Sequence, residues 1–260
     1  MTEKQRYSAP AVEKAFAVLD LISHHPRGLR MIDVVERLAL PKTSTFVLLR
    51  ALERMGYLEA DSKSRYRLTL KLFGLGMRAM SQSDIVTVAR PHLDHLVEET
   101  GLTAHVATLE RGEAVYLARV DGPGLIRFDT YVGKRAPAHL TAVGKAILAY
   151  LPEAELDALL PALDLRAGTT RAAHSADRLK SGLRETRERG YAVEDGEEVE
   201  GVRCVAAPIL PEGGRVLGSV GVIQLQSMLA DERMTKAADA VARTANAIGH
   251  EVAAGPSDSV

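Results

Sequence analysis

Residues 39–68, ALPKTSTFVLLRALERMGYLEADSKSRYRL, constrain the fold more than any other part of the chain. Pro41 suits the first turn of a helix, where its missing N–H is not needed, and Gly56 suits the left-handed residue that follows a helix. The spacing of the apolar residues predicts a helix over Pro41–Met55 with one face toward a core. The predicted core face comprises Ser44, Leu48, Ala51, Leu52 and Met55. The opposite face comprises Thr43, Phe46, Val47, Arg50 and Arg54.

Two apolar residues, Phe46 and Val47, therefore lie on a helix face that is otherwise polar. Exposed apolar side chains in a small domain either contact a partner or pack against a neighbouring element of the same domain. Here the neighbouring elements are the preceding helix and the following hairpin. The sequence leaves both interpretations open.

The segments on either side of this helix complete a small domain. Residues 11–24 and 31–38 have apolar residues at helical spacing, and HHPRG separates them because Pro26 cannot continue a helix. YLEA and RYRL alternate apolar and polar residues around the turn DSKS, which predicts a β-hairpin. Three short helices, a tight turn between the last two and a hairpin are typical of a winged helix-turn-helix.

The distribution of charge supports a polyanionic partner for this domain. Residues 1–80 carry 14 Lys and Arg residues against 8 Asp and Glu residues. The rest of the chain carries 19 basic residues against 26 acidic ones, so the near-zero net charge conceals a basic first third. A basic region joined to an acidic one indicates that only the first region binds a polyanion.

Composition excludes several classes of protein. A single Cys rules out an internal disulfide framework and a zinc site built from cysteines. No apolar run approaches the roughly 20 residues that span a bilayer, and the first residues contain no apolar signal core. We therefore expect a cytoplasmic protein with no membrane partner and no cofactor.

The pattern changes beyond residue 85. Strand-like segments with hairpin-length turns are interspersed with long helical segments, which predicts an α+β domain with a mostly antiparallel sheet. One predicted strand is LIRFDTYV, residues 125–132. Gly74 and Gly76 interrupt the helical segment 70–80, which marks it as a connector. We predict a winged helix-turn-helix over residues 1–75, a linker over 76–84 and a second domain over 85–260.

Six segments, in this order, resemble the IclR family of bacterial transcriptional regulators. The first three are AVEKAFAVLDLI, DVVERLALPKTSTFVLLRALERMGYLE and YRLTLKLFGLG. The last three are ARPHLDHLVEETG, AHLTAVGKAILAYLP and RGYAVEDGEEVEGVRCVAAPI. The resemblance implies a first domain that binds double-stranded operator DNA and a GAF-like α/β second domain that binds a small-molecule effector. It also implies a homodimer or a dimer of dimers.

In a winged helix-turn-helix, the second helix of the motif lies in the major groove of DNA. Polar residues at its start bond base edges or phosphates, and apolar residues contact thymine methyl groups, which gives Phe46 and Val47 a use. Cations on the hairpin bond phosphates. The predicted DNA-binding residues are Lys42, Thr43, Ser44, Phe46, Val47 and Arg50 on the helix, and Lys63, Arg65 and Arg67 on the hairpin.

The resemblance places the effector between the sheet and the helix that begins at TAVGKA. The matching residues are Leu125, Phe128, Thr141, Ala142, Val143, Gly144, Glu194, Val202, Cys204, Gly221 and Ile223. Plain core packing is the alternative for each. Relatives often carry Asp in place of Glu194, and commonly Ser in place of Gly221 and Ile223. Because two hydroxyl groups are lost, we expect a rather apolar effector, such as an aromatic acid or its derivative.

A rival interpretation makes the second domain a small-molecule-binding or hydrolytic enzyme. Cys204 would be the nucleophile, His105 or His139 its base, and Glu194 the group that orients the base. Nothing in the spacing requires these residues to meet, and a lone Cys on an apolar strand is usually a small buried hydrophobe. We therefore favour effector sensing over catalysis.

Two other patterns in the sequence contain residue types that bind metal ions or phosphate. His92 and His95 are three residues apart on a predicted helix, but a zinc site needs a third protein ligand and none is near in sequence. VGKA contains a Gly-Lys pair but lacks the first Gly and the final Ser or Thr of a phosphate-binding loop. Neither pattern predicts a site.

Overall fold

A computed structural model of the protein describes residues 9–80 and 84–254. The chain divides into two compact units, Met1–Met80 and Ser81–Val260. Residues 81–83, which belong to the predicted linker, lie outside the described residues. Within the described ranges, no helix is both long enough and apolar enough to cross a membrane.

The first unit consists of four helices and a small sheet. The helices are α1 Pro10–Ser23, α2 Met31–Leu38, α3 Lys42–Arg54 and α4 Lys71–Met80. The strands are β1 Leu29–Arg30, β2 Leu58–Ala60 and β3 Arg65–Leu68, paired antiparallel in the order β1-β3-β2. Helices α2 and α3 with the β2–β3 hairpin form the predicted winged helix-turn-helix. The two-residue strand β1 was not predicted, because two residues carry no periodic signal.

A tight turn joins α2 to α3. Ala39 adopts a left-handed conformation with φ 49°, and the N–H of Leu40 bonds the carbonyl of Val35 at 3.2 Å. Pro41 then precedes the first residue of α3. This turn holds the two helices against a core that includes Val34, Leu49, Leu52, Leu58 and Tyr66.

The buried face of α3 is shifted by about one residue from the predicted one. Thr45, Leu49 and Leu52 are buried, whereas Met55 is 51% exposed. Thr45 can enter the core because its hydroxyl donates to the Pro41 carbonyl at 3.1 Å, so the buried oxygen is satisfied within the helix. The outward direction of Phe46 and Val47 was predicted correctly, since they are 52% and 59% exposed.

The second unit is built on one six-stranded antiparallel sheet in the order β6-β5-β4-β9-β8-β7. Its strands are β4 Thr103–Glu110, β5 Glu113–Val120, β6 Arg135–Pro137, β7 Ala192–Asp195, β8 Val202–Ile209 and β9 Gly218–Leu225. Its helices are α5 Asp84–Thr100, α6 Ala142–Leu148, α7 Glu153–Leu159, α8 Ala176–Arg189 and α9 Asp231–Ala254. The α+β fold class with a mostly antiparallel sheet is therefore confirmed.

Alternation along the strands divides the side chains of the sheet between two layers of helix. Val205 and Val222 belong to the core that contains α5 and α9. Ala206 and Tyr116 belong to the core that contains α6. Because successive side chains point to opposite faces, every second residue of β8 and β9 is directed toward α6.

The predicted strand over residues 125–132 is wrong. The chain between β5 and β6, residues 121–134, is a loop in which Gly124 and Gly133 have φ of 106° and 89°. Those values favour glycine and turn the chain away from the sheet. Side chains bind the loop carbonyls in place of a neighbouring strand: Arg127 donates to the Gly124 oxygen at 2.9 Å, and Arg119 donates to the Phe128 oxygen at 3.2 Å.

The predicted interruption of the helix at Gly74 and Gly76 is also wrong, because α4 is continuous through both. A Cβ atom at either position would meet no atom within 4 Å. A glycine inside a helix lowers its stability by about 1 kcal/mol but does not end it.

Candidate functional site

The outer face of α3 presents the predicted DNA-binding residues to solvent. Lys42, Thr43, Phe46, Val47 and Arg50 are exposed. Ser44 is only half-buried, because it lies beside the buried Thr45 at the edge of this face. The Arg50 guanidinium bonds the Glu53 carboxylate at 2.7 Å, one turn further along the helix. The face combines polar and apolar side chains, and a major groove presents hydrogen-bonding base edges beside thymine methyl groups.

The hairpin that follows α3 is organised by Asp61. Its Oδ1 accepts hydrogen bonds from the backbone N–H groups of Lys63 at 2.8 Å and Arg65 at 2.9 Å. The bond from Arg65 is the main cause that lowers the pKa of Asp61. Ser64 turns the tip with φ 56°, and the Arg67 guanidinium lies 3.5 Å from Asp61 Oδ2. The turn is therefore ordered by hydrogen bonds within the hairpin.

The three predicted hairpin cations differ in their environment. Lys63 and Arg67 are exposed, and Arg65 is half-buried. On one side, strand β3 of the hairpin packs closely against the chain segment that precedes α2. Gly28 has φ 70°, and a Cβ atom there would lie 2.8 Å from the Tyr66 carbonyl oxygen. Only glycine allows β1 to pair with β3 at this distance.

The second unit contains a cavity of about 240 Å³ between the sheet, the start of α6, the 121–134 loop and the turn after β7. Eight of the predicted effector residues line it: Phe128, Thr141, Ala142, Val143, Glu194, Val202, Cys204 and Ile223. Eight lining residues were not predicted: His105, Tyr116, Arg127, Asp129, Thr130, Lys134, Glu198 and Val199. His105 could have been predicted from the alternation of β4, because it lies on the same sheet face as Ala107. The loop residues could not, because a loop has no periodic pattern.

Three predicted effector residues do not line the cavity. Leu125 is 98% exposed on the 121–134 loop. Gly144 and Gly221 serve packing instead: a Cβ atom at Gly144 would lie 2.2 Å from the Ala138 carbonyl oxygen, and one at Gly221 would lie 2.9 Å from Val143 Cγ1. Both glycines allow α6 to approach closely, and the predicted strand that put Leu125 in the cavity is a loop.

Two short hydrogen-bonded contacts hold the start of α6 beside the cavity. Thr141 caps the helix, its Oγ1 accepting from the Gly144 N–H at 3.1 Å. Ser219 on β9 donates its hydroxyl to the Val143 carbonyl at 2.9 Å. These bonds position Ala142 and Val143 in the wall of the cavity.

Glu194 and Cys204 form the polar end of the cavity on β7 and β8. Glu194 is 2% exposed, and its Oε1 accepts from the N–H groups of Glu197 at 2.5 Å and Glu198 at 3.2 Å. Burial raises the pKa of Glu194, and these two bonds oppose that shift. The Cys204 thiol hydrogen-bonds Glu194, and burial raises the pKa of Cys204 well above its ordinary value.

This geometry does not favour the enzyme interpretation. A nucleophilic cysteine acts as a thiolate, which a raised pKa suppresses. His105 lines the cavity, but burial lowers its pKa to about 3, and its ring contacts that of Tyr116 edge-on at 5.0 Å between centroids. His139 is buried and does not line the cavity.

His92 and Lys145, from the two patterns that predicted no site, have partners within the protein. His92 on α5 bonds the Glu251 carboxylate on α9 at 2.8 Å. In the part of the chain that the structure describes, no three His, Cys, Asp or Glu residues are grouped to hold a metal ion. Lys145 of the VGKA segment pairs with Glu197, and both side chains are largely buried.

Comparison with known proteins supports the regulator interpretation. Residues 77–250 match the family model described as the C-terminal domain of the bacterial transcriptional regulator IclR. The chain belongs to the IclR family. Residues 11–62 match the IclR helix-turn-helix domain, so both units are accounted for. The IclR-family chain is thus a DNA-binding transcriptional regulator with an effector-binding C-terminal domain, as predicted.

Individual relatives agree with the family match. The HTH-type transcriptional regulator XynR of Escherichia coli K12 is 34% identical over 225 residues, which cover 86% of this chain and 89% of XynR. The crystal structure of Thermotoga maritima IclR is 27% identical with a TM-score of 0.78, covering 93% of this chain and 98% of that one. An IclR transcriptional regulator from Alicyclobacillus acidocaldarius is 30% identical with a TM-score of 0.78, covering 94% and 98%.

Proposed function

We propose that α3 enters the major groove of operator DNA and that Phe46 and Val47 contact thymine methyl groups there. The observation that supports this is their exposure, 52% and 59%, on a helix whose other exposed residues are polar. Packing within the same unit, the alternative use, does not bury either side chain. Lys42, Thr43, Ser44 and Arg50 would bond base edges or phosphates at the same surface.

The β2–β3 hairpin supplies the phosphate contacts in this proposal. Lys63 and Arg67 are exposed cations, and Arg65 is a half-buried one, on a turn that Asp61 already orders. A preordered turn loses little conformational entropy when it binds the DNA backbone. These cations give affinity without sequence preference.

A mobility shift with the full-length chain and the DNA upstream of its own gene tests the proposal. We expect a complex that unrelated competitor DNA does not remove and that weakens as salt rises. Absence of a complex on that DNA, together with no retention on heparin at low salt, would contradict it.

We also propose that the protein acts as a homodimer, or as a dimer of dimers, in the cytoplasm where its DNA lies. One recognition helix contacts few base pairs, and a two-fold dimer doubles the site. Exposed apolar residues in the first unit offer a contact: Val12 and Phe16 on α1, Leu70 before α4, and Phe73 and Met77 on α4. Light scattering should give a multiple of the 28.1 kDa chain mass.

A pair of variants tests that contact. Replacing Phe16 and Phe73 together with Ser should shift the protein toward the monomer mass. The matched control, Met228→Ser, removes an exposed apolar residue from the second unit and should leave the mass unchanged. Equal masses for all three proteins would contradict the proposed contact.

A further inference from the structure

Two polar groups around the effector cavity, the Nδ1 atom of His105 and the hydroxyl of Thr130, have no hydrogen-bond partner among residues 9–80 and 84–254. Glu198, which is half-buried, also lines the cavity. His105 and Thr130 are more than nine-tenths buried, and burial raises the pKa of Glu198. Buried polar groups in proteins are normally hydrogen-bonded, and leaving one without a partner costs free energy.

The side chains of His105, Thr130 and Glu198 come from three different elements that all line the cavity. His105 lies on β4, Thr130 on the 121–134 loop and Glu198 on the turn after β7. Because they lie on separate elements, one bound molecule can contact all three only if it carries several hydrogen-bonding groups. Packing alone does not explain them, since apolar residues would fill the same positions without this cost.

The charges of the residues that line the cavity indicate which hydrogen-bonding groups the bound molecule carries. The two cations of the lining already have partners: Lys134 bonds the Asp129 carboxylate at 3.0 Å, and Arg127 donates to loop carbonyls. Two further acidic side chains of the lining, Glu194 and Glu198, have pKa values that burial raises. Hydroxyl groups suit this surface because each one both donates and accepts.

His105 fits the same ligand chemistry. Its pKa is lowered to about 3, so the ring is neutral at physiological pH, with one nitrogen a donor and the other an acceptor. A neutral imidazole bonds a hydroxyl in either tautomer. The volume of about 240 Å³ lies below the ~300–1,000 Å³ of drug-sized sites, which restricts the ligand to a small molecule.

We infer that the effector is a small hydroxyl-rich molecule, a sugar alcohol or a sugar acid, whose hydroxyl groups bond His105, Thr130 and Glu198. This inference rests on the prediction that the effector-binding C-terminal domain holds its effector in this cavity, which eight of the predicted effector residues line. It replaces the aromatic acid expected from the sequence. That expectation relied on lost hydroxyls at Gly221 and Ile223, and Gly221 does not line the cavity.

Calorimetric titration of the full-length protein without DNA tests the inference. The probes are gluconate and glucitol, with hexanoate and benzoate as counterparts that lack hydroxyl groups. We expect gluconate or glucitol to bind at least about tenfold more tightly than both counterparts, a difference within reach of two or three added hydrogen bonds. A preference for gluconate assigns a sugar acid, and a preference for glucitol assigns a neutral polyol.

Matched variants connect the binding to the named groups. Thr130→Val keeps the shape but removes the hydroxyl and should weaken the preferred probe about tenfold, whereas Thr130→Ser restores the hydroxyl and should bind like the parent. Glu198→Gln should change affinity for the hydroxylated probe and leave that for hexanoate unchanged. Circular dichroism verifies that each variant is folded.

The inference is overturned if neither gluconate nor glucitol binds, if hexanoate or benzoate binds as tightly, or if Thr130→Val binds like the parent. Its failure is separable from failure of the DNA-binding proposal. A chain that binds gluconate but no DNA contradicts only the latter. A chain that binds its upstream DNA but shows no preference for hydroxylated probes contradicts only the inference.

Discussion

Cys204 lies directly opposite Glu194 on the neighbouring strand, and its thiol hydrogen-bonds the buried carboxylate. Burial, followed by the charge of Glu194, raises the pKa of Cys204. Little thiolate is therefore present at pH 8. We expect iodoacetamide to label native Cys204 at least about tenfold more slowly than the same residue in the denatured protein, as measured by mass spectrometry.

The variant Glu194→Gln distinguishes the effect of the raised thiol pKa on labelling from the effect of limited access of iodoacetamide to Cys204. It removes the negative charge beside the thiol, so the pKa of Cys204 should fall and labelling should accelerate at the same pH. A native rate equal to the denatured rate would contradict the protonated thiol. An unchanged rate in Glu194→Gln would show that access alone limits the reaction.

His105 should make stability depend on pH. Its pKa is lowered to about 3 in the folded protein, against an ordinary value of 6.5. The depressed pKa means that the unfolded chain binds the proton first, so the contribution is fully present above pH 6.5 and is lost as the pH falls toward 3. We expect a loss of about 2 kcal/mol between pH 7 and pH 5, measured by urea denaturation.

The variant His105→Phe keeps a ring beside Tyr116 and removes the titrating group. Its free energy of unfolding should fall less steeply between pH 7 and pH 5 than that of the parent. Other groups titrate in both proteins and cancel in the comparison. Parallel pH profiles for the two proteins would contradict the assignment to His105.

Gly144 should not tolerate a methyl group. A Cβ atom there would lie 2.2 Å from the Ala138 carbonyl oxygen, and backbone must move to relieve the contact. Gly144→Ala should lower the free energy of unfolding by about 1–3 kcal/mol or more. The control is Gly182→Ala on α8, where a Cβ would meet nothing within 4 Å and helix propensity should raise stability by up to ~1 kcal/mol. Thermal denaturation that ranks the two in reverse order would contradict this packing.

Val47 should affect which sequence is bound rather than whether DNA is bound. Val47→Ala removes the methyl groups proposed to contact thymine, so the preference for the operator over a site with the thymine replaced should fall by up to ~1–3 kcal/mol. Competition binding to the two sites measures it. Met55→Ala, an exposed apolar change at the end of the same helix, should retain the preference. Equal loss in both variants would contradict a specific contact.

The hairpin cations should act through phosphates. Lys63→Ala and Arg65→Ala should each weaken binding to all DNA sequences alike and reduce the slope of log affinity against log salt by about 0.9. The control is Lys236→Ala, which removes one positive charge from α9. Lys236 is an exposed lysine that pairs with Glu232. If Lys236→Ala reduces the slope as much, the effect is one of net charge and the hairpin contacts are contradicted.

The first unit could be predicted closely because its signals are local. The period of the apolar residues, Pro41 and Gly56 place α2 and α3 within a residue of their observed bounds and direct Phe46 and Val47 outward. What the period could not resolve was a rotation of α3 by one residue. A polar residue such as Thr45 would not be expected in the core. It is buried there because its hydroxyl bonds the Pro41 carbonyl of the same helix.

The sequence by itself determined the family, the winged helix-turn-helix and most of the strands of the second unit, because the motifs and periods that indicate them are local in the sequence. Only the tertiary structure decided the chemistry of the effector cavity. His105, Thr130 and Glu198 are far apart along the chain and meet where a strand, a loop and a turn converge. Whether a buried polar group has a partner depends on which distant segments fold around it, and no local pattern encodes that.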